Sequence, residues 1–154
     1  MQNAYNSLVM VFNIHKDYSE DTGIRHSKYS ETSGEDFYHD KLNEIFYQCY
    51  TKGEELQLVL DGGDDGYTPS FLDESIGNLV YDFTLEVVKT LLRIISTWEP
   101  YWIDEIENKT YPKWETRRKN GEQATITKAH NAWYRLNENG APEKKVWIEY
   151  TEQQ

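Results

Sequence analysis

A short apolar run from Leu56 to Leu60 ends in Asp61, a glycine- and acid-rich loop follows, and Thr68-Pro69-Ser70 opens a second apolar segment. This succession limits the fold more firmly than any other stretch. Glu55 to Leu60 reads as a buried strand, and Asp61 to Tyr67 as the loop. In the second apolar segment, Phe71, Leu72, Ile76, Leu79, Val80 and Phe83 mark one face of a helix. Ser70, with Asp73 three residues later, has the spacing of a capping box with Asp in the acidic position. Strand, loop and capped helix together present hydroxyls and free backbone N–H groups at one exposed corner. Gly77 inside the helix predicts close approach to the sheet.

The flanking sequence extends this unit in both directions. Ser7 to Ile14 reads as a first strand, and His15 to Thr32 as a long polar connection. Ser33-Gly34-Glu35-Asp36 marks a helix start, because Ser33 can cap and the acids favour the positive end of the helix. Tyr38, Leu42, Ile45, Phe46 and Cys49 carry that helix to about Thr51. Val87 to Ile95 fits either a strand or a helix, and its β-branched content and lack of caps favour a strand. Pro100 can start a further helix, which Pro112 should end or kink. Glu122 to Lys128, Ala132 to Leu136 and Lys145 to Tyr150 read as strands, with a turn at Asn139-Gly140. The expectation is one α/β domain over residues 1–154. Its core covers about 7–97, and a helix and β extension follow over about 98–154.

Composition restricts the function. A length of 154 residues suits one domain with a real core. The net charge of −11 argues against direct binding to nucleic acid or an anionic membrane, since phosphate contacts need Lys and Arg. It leaves room for a basic partner or for mimicry of nucleic acid. Arg117-Arg118-Lys119, the only basic cluster, reads as a solvated helix end. No basic, apolar leader opens the sequence and no run is long enough to span a bilayer, so a cytoplasmic location is expected.

Chemistry-bearing patterns are few. The acidic loop fails as a calcium loop: Asp61, Asp65 and Gly66 fit positions one, five and six, but Gly63 and Leu72 occupy positions three and twelve. His15, His26, His39 and His130 make no zinc pattern, and the single cysteine, Cys49, lies on the apolar face of the first helix. No phosphate loop or nucleophile elbow is present, and Asp61 lacks the companions of a phosphotransfer aspartate. Neither an enzyme, a metal nor a cofactor is expected. Trp98, Tyr101, Trp102, Tyr111 and Trp114 gather in one span and read about equally as core or as a partner surface.

From Phe12 to about Val80 the sequence resembles the STAS-like family of unknown function. The resemblance rests on Thr22-Gly23-Ile24-Arg25, Ser33-Gly34-Glu35-Asp36-Phe37, Leu58-Val59-Leu60-Asp61 and the stretch from Ser70 to Leu79 with its internal glycine. It implies a STAS-type mixed sheet with helices packed on it, followed here by a C-terminal β-hairpin or meander. It also implies a non-enzymatic regulatory module of a bacterial signalling or conflict system, distantly similar to anti-anti-sigma factors. In those relatives a serine at the helix start is phosphorylated by a partner kinase. The corresponding step here is Thr68-Pro69-Ser70-Phe71, where the relatives usually have an Asp-Ser-Ser-Gly type step, so Ser70 and then Thr68 are the candidate phosphorylation sites. Asp64, Asp65, Tyr67, Phe71, Asp73 and Glu74 are the candidate partner contacts, and a histidine-kinase-like ATPase is the partner the resemblance suggests. An acidic inhibitor or decoy that fills a basic protein groove is the alternative.

Overall fold

The computed structural model describes residues 8–152. Three parallel strands form the main sheet in the order β1-β2-β3: β1 (Val9–Asn13), β2 (Glu55–Val59) and β3 (Leu92–Ile95). Val11 stands opposite Gln57, and Gln57 opposite Arg93. Parallel strands need long crossovers, and helices supply both. Between β1 and β2, α1 (Gly34–Phe37) passes through a π-helical turn at Tyr38–Leu42 into α2 (Asn43–Lys52). Between β2 and β3 run α3 (Pro69–Phe83) and α4 (Leu85–Leu91). Downstream, α5 (Tyr101–Glu105), a π-helical turn at Ile106–Thr110 and α6 (Tyr111–Asn120) form one continuous helical run, and β4 (Trp133–Leu136) pairs antiparallel with β5 (Pro142–Lys145).

The helices cover one face of the sheet. Leu56 and Leu58 are fully buried on it, whereas Val9 and Val11 on the alternate side of β1 remain exposed. The centre of the molecule is α3, buried from Phe71 to Phe83. A helix buried all round must satisfy its polar side chains internally. Ser75 donates to the Phe71 carbonyl at 2.8 Å and Asn78 to the Glu74 carbonyl at 2.8 Å. Asp82 accepts from Tyr38 and, at 2.6 Å, from Arg135.

Several local expectations change. The β-branched run at Val87 to Leu91 is helical, because Thr84 caps α4 through the Val87 N–H, and only Leu92 to Ile95 pair as a strand. Pro112 does not end its helix: the helical run continues through it, with the π-helical turn at Ile106–Thr110 lying just before the proline. Glu122 to Lys128 form no strand, and of Lys145 to Tyr150 only Lys145 pairs, as the last residue of β5. The extension is a single hairpin that begins at Trp133. Gly77 faces α6 rather than the sheet, and a methyl group there would overlap the fully buried Trp114 indole. The predicted first strand holds over Val9–Asn13, Ile14 instead opens a π-helical turn at Ile14–Tyr18, and Ser7 lies outside the described residues.

Candidate functional site

The corner expected from the sequence forms where β2 gives way to α3. Thr68, not Ser70, is the N-cap: its Oγ1 accepts the Phe71 N–H at 3.1 Å, and Pro69 occupies the first helical turn. Proline has no N–H to satisfy at that position and its fixed φ suits the helix, so cap and proline act together. Ser70 is therefore the second helical residue, half-buried, with its Oγ 3.2 Å from that of Thr68. The expected Ser70–Asp73 capping box does not form; the box forms at α1, where Ser33 and Asp36 bond each other's backbone N–H.

The expected partner contacts divide into two sets. Asp64 and Asp65 are exposed. Tyr67 and Phe71 are core residues: Phe71 is fully buried and stacks between Phe37 at 5.7 Å and Tyr67 at 5.8 Å, while the Tyr67 hydroxyl donates to the Leu60 carbonyl at 2.9 Å. Asp73 and Glu74 are also buried, and both accept from the Arg25 guanidinium, at 2.8 and 3.0 Å. These four residues are corrected from surface contacts to structural ones. A helix buried on every side has no outward face from which Phe71 or Glu74 could reach a partner.

Arg25 and Lys113 make the corner more than a helix end. Lys113 adds an ion pair to Asp73 at 2.7 Å. Burial alone would push the Asp73 carboxyl up, but Lys113 and Arg25 hold it below the usual range. For Glu74, the next residue, burial prevails over Arg25 and its carboxyl is raised. Ser70, Arg25, Asp73, Trp102, Lys109 and Lys113 line a common cavity of about 420 Å³. Ser70 lies one helical turn before Asp73 and Glu74 and so on the same side of α3. Sequence reasoning missed the cations, because Lys109 and Lys113 come from a segment distant in the chain. Arg25 stands in the Gly-Arg segment that carries the family resemblance, which was the signal available.

Asp61 is bonded to the turn that follows β3. Its carboxylate accepts from the Thr97 N–H and hydroxyl and from the Trp98 N–H at 2.7–3.0 Å, tying the loop after β2 to the turn after β3. Burial opposes ionisation, but the bonds from Trp98 and Thr97 together keep Asp61 below its ordinary range. Among the described residues no group of His, Cys, Asp and Glu is arranged to hold a metal ion. Cys49 is a buried core thiol, and burial pushes it up to about 11.

A second polar cluster ties the C-terminal segment to α1. Glu35, buried, accepts from the Thr127 N–H at 2.8 Å and hydroxyl at 2.7 Å and bonds the His130 Nε2 at 2.6 Å. His130 stacks on His39 with centroids 3.9 Å apart, and Trp133 meets His39 edge-on. Burial opposes ionisation of Glu35, but the bonds from His130, Thr127 and Ser27 hold it in its ionised form.

The family model of a STAS-like domain of unknown function (DUF4325) matches residues 33–102, from the cap of α1 through α3 and β3 into α5. No curated protein and no solved structure matches the chain. STAS-like domains are in general non-enzymatic regulatory modules.

Proposed function

From a chain whose residues 33–102 match a STAS-like domain, we propose a non-enzymatic module that binds a protein partner and is switched by phosphorylation at Ser70. The observation that carries this reading is the place of Ser70 at the head of a 15-residue helix, lining one cavity with Arg25, Lys109 and Lys113. A phosphoryl group adds about −1.5 to −2 charges and three acceptor oxygens. At this position it meets the free N–H groups and positive end of α3 and three cationic side chains. Asp73 already pairs with Arg25 and Lys113, and Glu74 with Arg25, so the phosphate competes for the cations that tie the segment around Arg25, and α6, to α3. Modification is thereby coupled to local structure. Thr68 is the second candidate, but its hydroxyl already caps the helix and contacts the Gly23 carbonyl at 3.2 Å.

A histidine-kinase-like ATPase of a bacterial signalling or conflict system is the partner proposed. The test is co-purification from the source cell, identification of the bound protein, and incubation of the pair with ATP. Mass spectrometry is expected to find one phosphate at Ser70, absent in Ser70→Ala and retained in Thr68→Ala. No phosphate after incubation with the true partner removes the switch. A basic nucleic-acid enzyme as the co-purified protein favours an acidic decoy instead.

A further inference from the structure

The loops at the C-terminal end of the parallel sheet form a surface unlike the rest of the molecule. Trp98 is 68% exposed and Tyr101 is 56% exposed, although large aromatic side chains are otherwise mostly buried here. Both follow β3, and the Asp61 carboxylate fixes their turn by accepting the Trp98 N–H at 2.9 Å. The exposed ring is thus held by a hydrogen-bonded turn, not carried on a loose tip. Beside it run Asp64 and Asp65, both exposed. The acidic loop and the aromatic turn are adjacent: the Glu99 carboxylate lies 3.8–3.9 Å from where a side chain on Gly66 would begin, and the Tyr101 hydroxyl donates to it at 3.0 Å.

The charge on this surface is uncompensated. Residues 53–88 and 94–108 contain no Lys or Arg. Among the described residues Asp64, Asp65 and Glu99 meet no cation at ion-pair distance, unlike the buried carboxylates of α3. Two exposed aromatic side chains beside three carboxylates that lack an ion-pair partner, with Glu99 also accepting the Trp102 indole N–H at 3.2 Å, complement a guanidinium or ammonium group, which gains from ring and carboxylate together. Loops at the carboxyl ends of parallel strands are also where such sheets place their ligands.

We infer that the surface formed by Asp64, Asp65, Trp98, Glu99 and Tyr101 docks a basic, arginine-containing segment of a partner protein. This rests on the protein-binding reading above but needs no phosphate on Ser70. It moves the contact from the buried Phe71 to the exposed Trp98.

The test uses the full, unphosphorylated chain and a short capped peptide of alternating glycine and arginine, with citrulline replacing arginine as the neutral control. In NMR titrations the arginine peptide is expected to shift the Trp98 indole N–H and the amides of Gly62, Gly63 and Gly66, and the citrulline peptide to shift none of them. Trp98→Ala is expected to weaken binding roughly two- to fivefold, the equivalent of an exposed cation–π contact. The Asp64→Asn, Asp65→Asn double variant is expected to weaken it further and to flatten its salt dependence. All three residues are exposed, so the variants should keep the wild-type circular dichroism. Shifts spread evenly over the acidic surface, or equal affinity in Trp98→Ala, overturn the site. Either result leaves phosphorylation of Ser70 to be decided by its own mass measurement.

Discussion

His39 and Glu35 make stability depend on pH in the same direction. Burial, reinforced by the neighbouring His130, lowers the His39 imidazole from 6.5 to about 3. The unfolded chain therefore takes up a proton below pH 6.5 that the folded chain refuses, and stability falls as the pH drops from 6.5 towards 3. Glu35 enters later. Burial alone would raise it, but His130, Thr127 and Ser27 together bring it from 4.5 to about 2, so its contribution is complete above 4.5 and is lost as the pH falls through 2. Each group sets a slope of at most about 1.4 kcal/mol per pH unit. Urea unfolding is expected to show a decline that begins near pH 6.5 and steepens below 4.5. His39→Phe keeps a ring against His130 and Trp133 while removing the first part of the decline; an unchanged profile between 6.5 and 4.5 in that variant refutes the assignment. None of this was legible in the sequence. His39 and His130 are separated by 91 positions, and no local spacing announces that a buried carboxylate lies between their segments.

At the scale of the element, the start of α3 separates two roles that the sequence had merged. Thr68→Ala removes the acceptor of the Phe71 N–H and is expected to cost about 0.5–2 kcal/mol. Ser70→Ala leaves the cap intact and should change stability by under about 0.5 kcal/mol. Thermal unfolding of both variants decides the matter, and a loss in Ser70→Ala equal to that in Thr68→Ala makes Ser70 structural. The helix, its apolar face and the acidic loop were all readable from residues 56–83, because period and punctuation are local signals. The cap was misplaced by two residues, since Ser and Thr are both good caps and only the proline between them discriminates. The run at Val87 to Leu91 misled for a related reason. Its β-branched residues favour a strand weakly, whereas the cap at Thr84 and packing beside α3 favour a helix more strongly. Trp98 and Tyr101 could be read as core or surface; burial of Trp102, Tyr111 and Trp114 assigns the core share to those three.

At the scale of the molecule, the family match and the physical unit have different boundaries. The match spans residues 33–102, yet the sheet takes its edge strand from Val9–Asn13, and α3 packs on α6. The α/β order was legible because each crossover has its own periodic signature. The tethering of the C-terminal segment was not, because it runs through isolated polar pairs. Asp82, buried at the end of α3, is bonded by Arg135 of β4, and Asn43 of α2 exchanges hydrogen bonds with the Tyr134 backbone, both at 2.9 Å. Glu35 and Asp36 at the head of α1 take partners from residues 127–130, including Lys128 at 2.8 Å. A chain ending at Gly121 would leave the Asp82 and Glu35 carboxylates buried without these partners. Stripping one partner from a buried ion pair costs about 3–5 kcal/mol, and two such losses rival the whole stability of a domain this size. Such a truncation is expected to lose cooperative thermal unfolding by circular dichroism. Asp82→Asn with Arg135→Met in the full chain should restore part of the loss seen in Arg135→Met alone, because no buried charge is then left unpaired. A truncated chain that melts cooperatively near the full-length temperature would show instead that the matched segment and α6 stand without the hairpin.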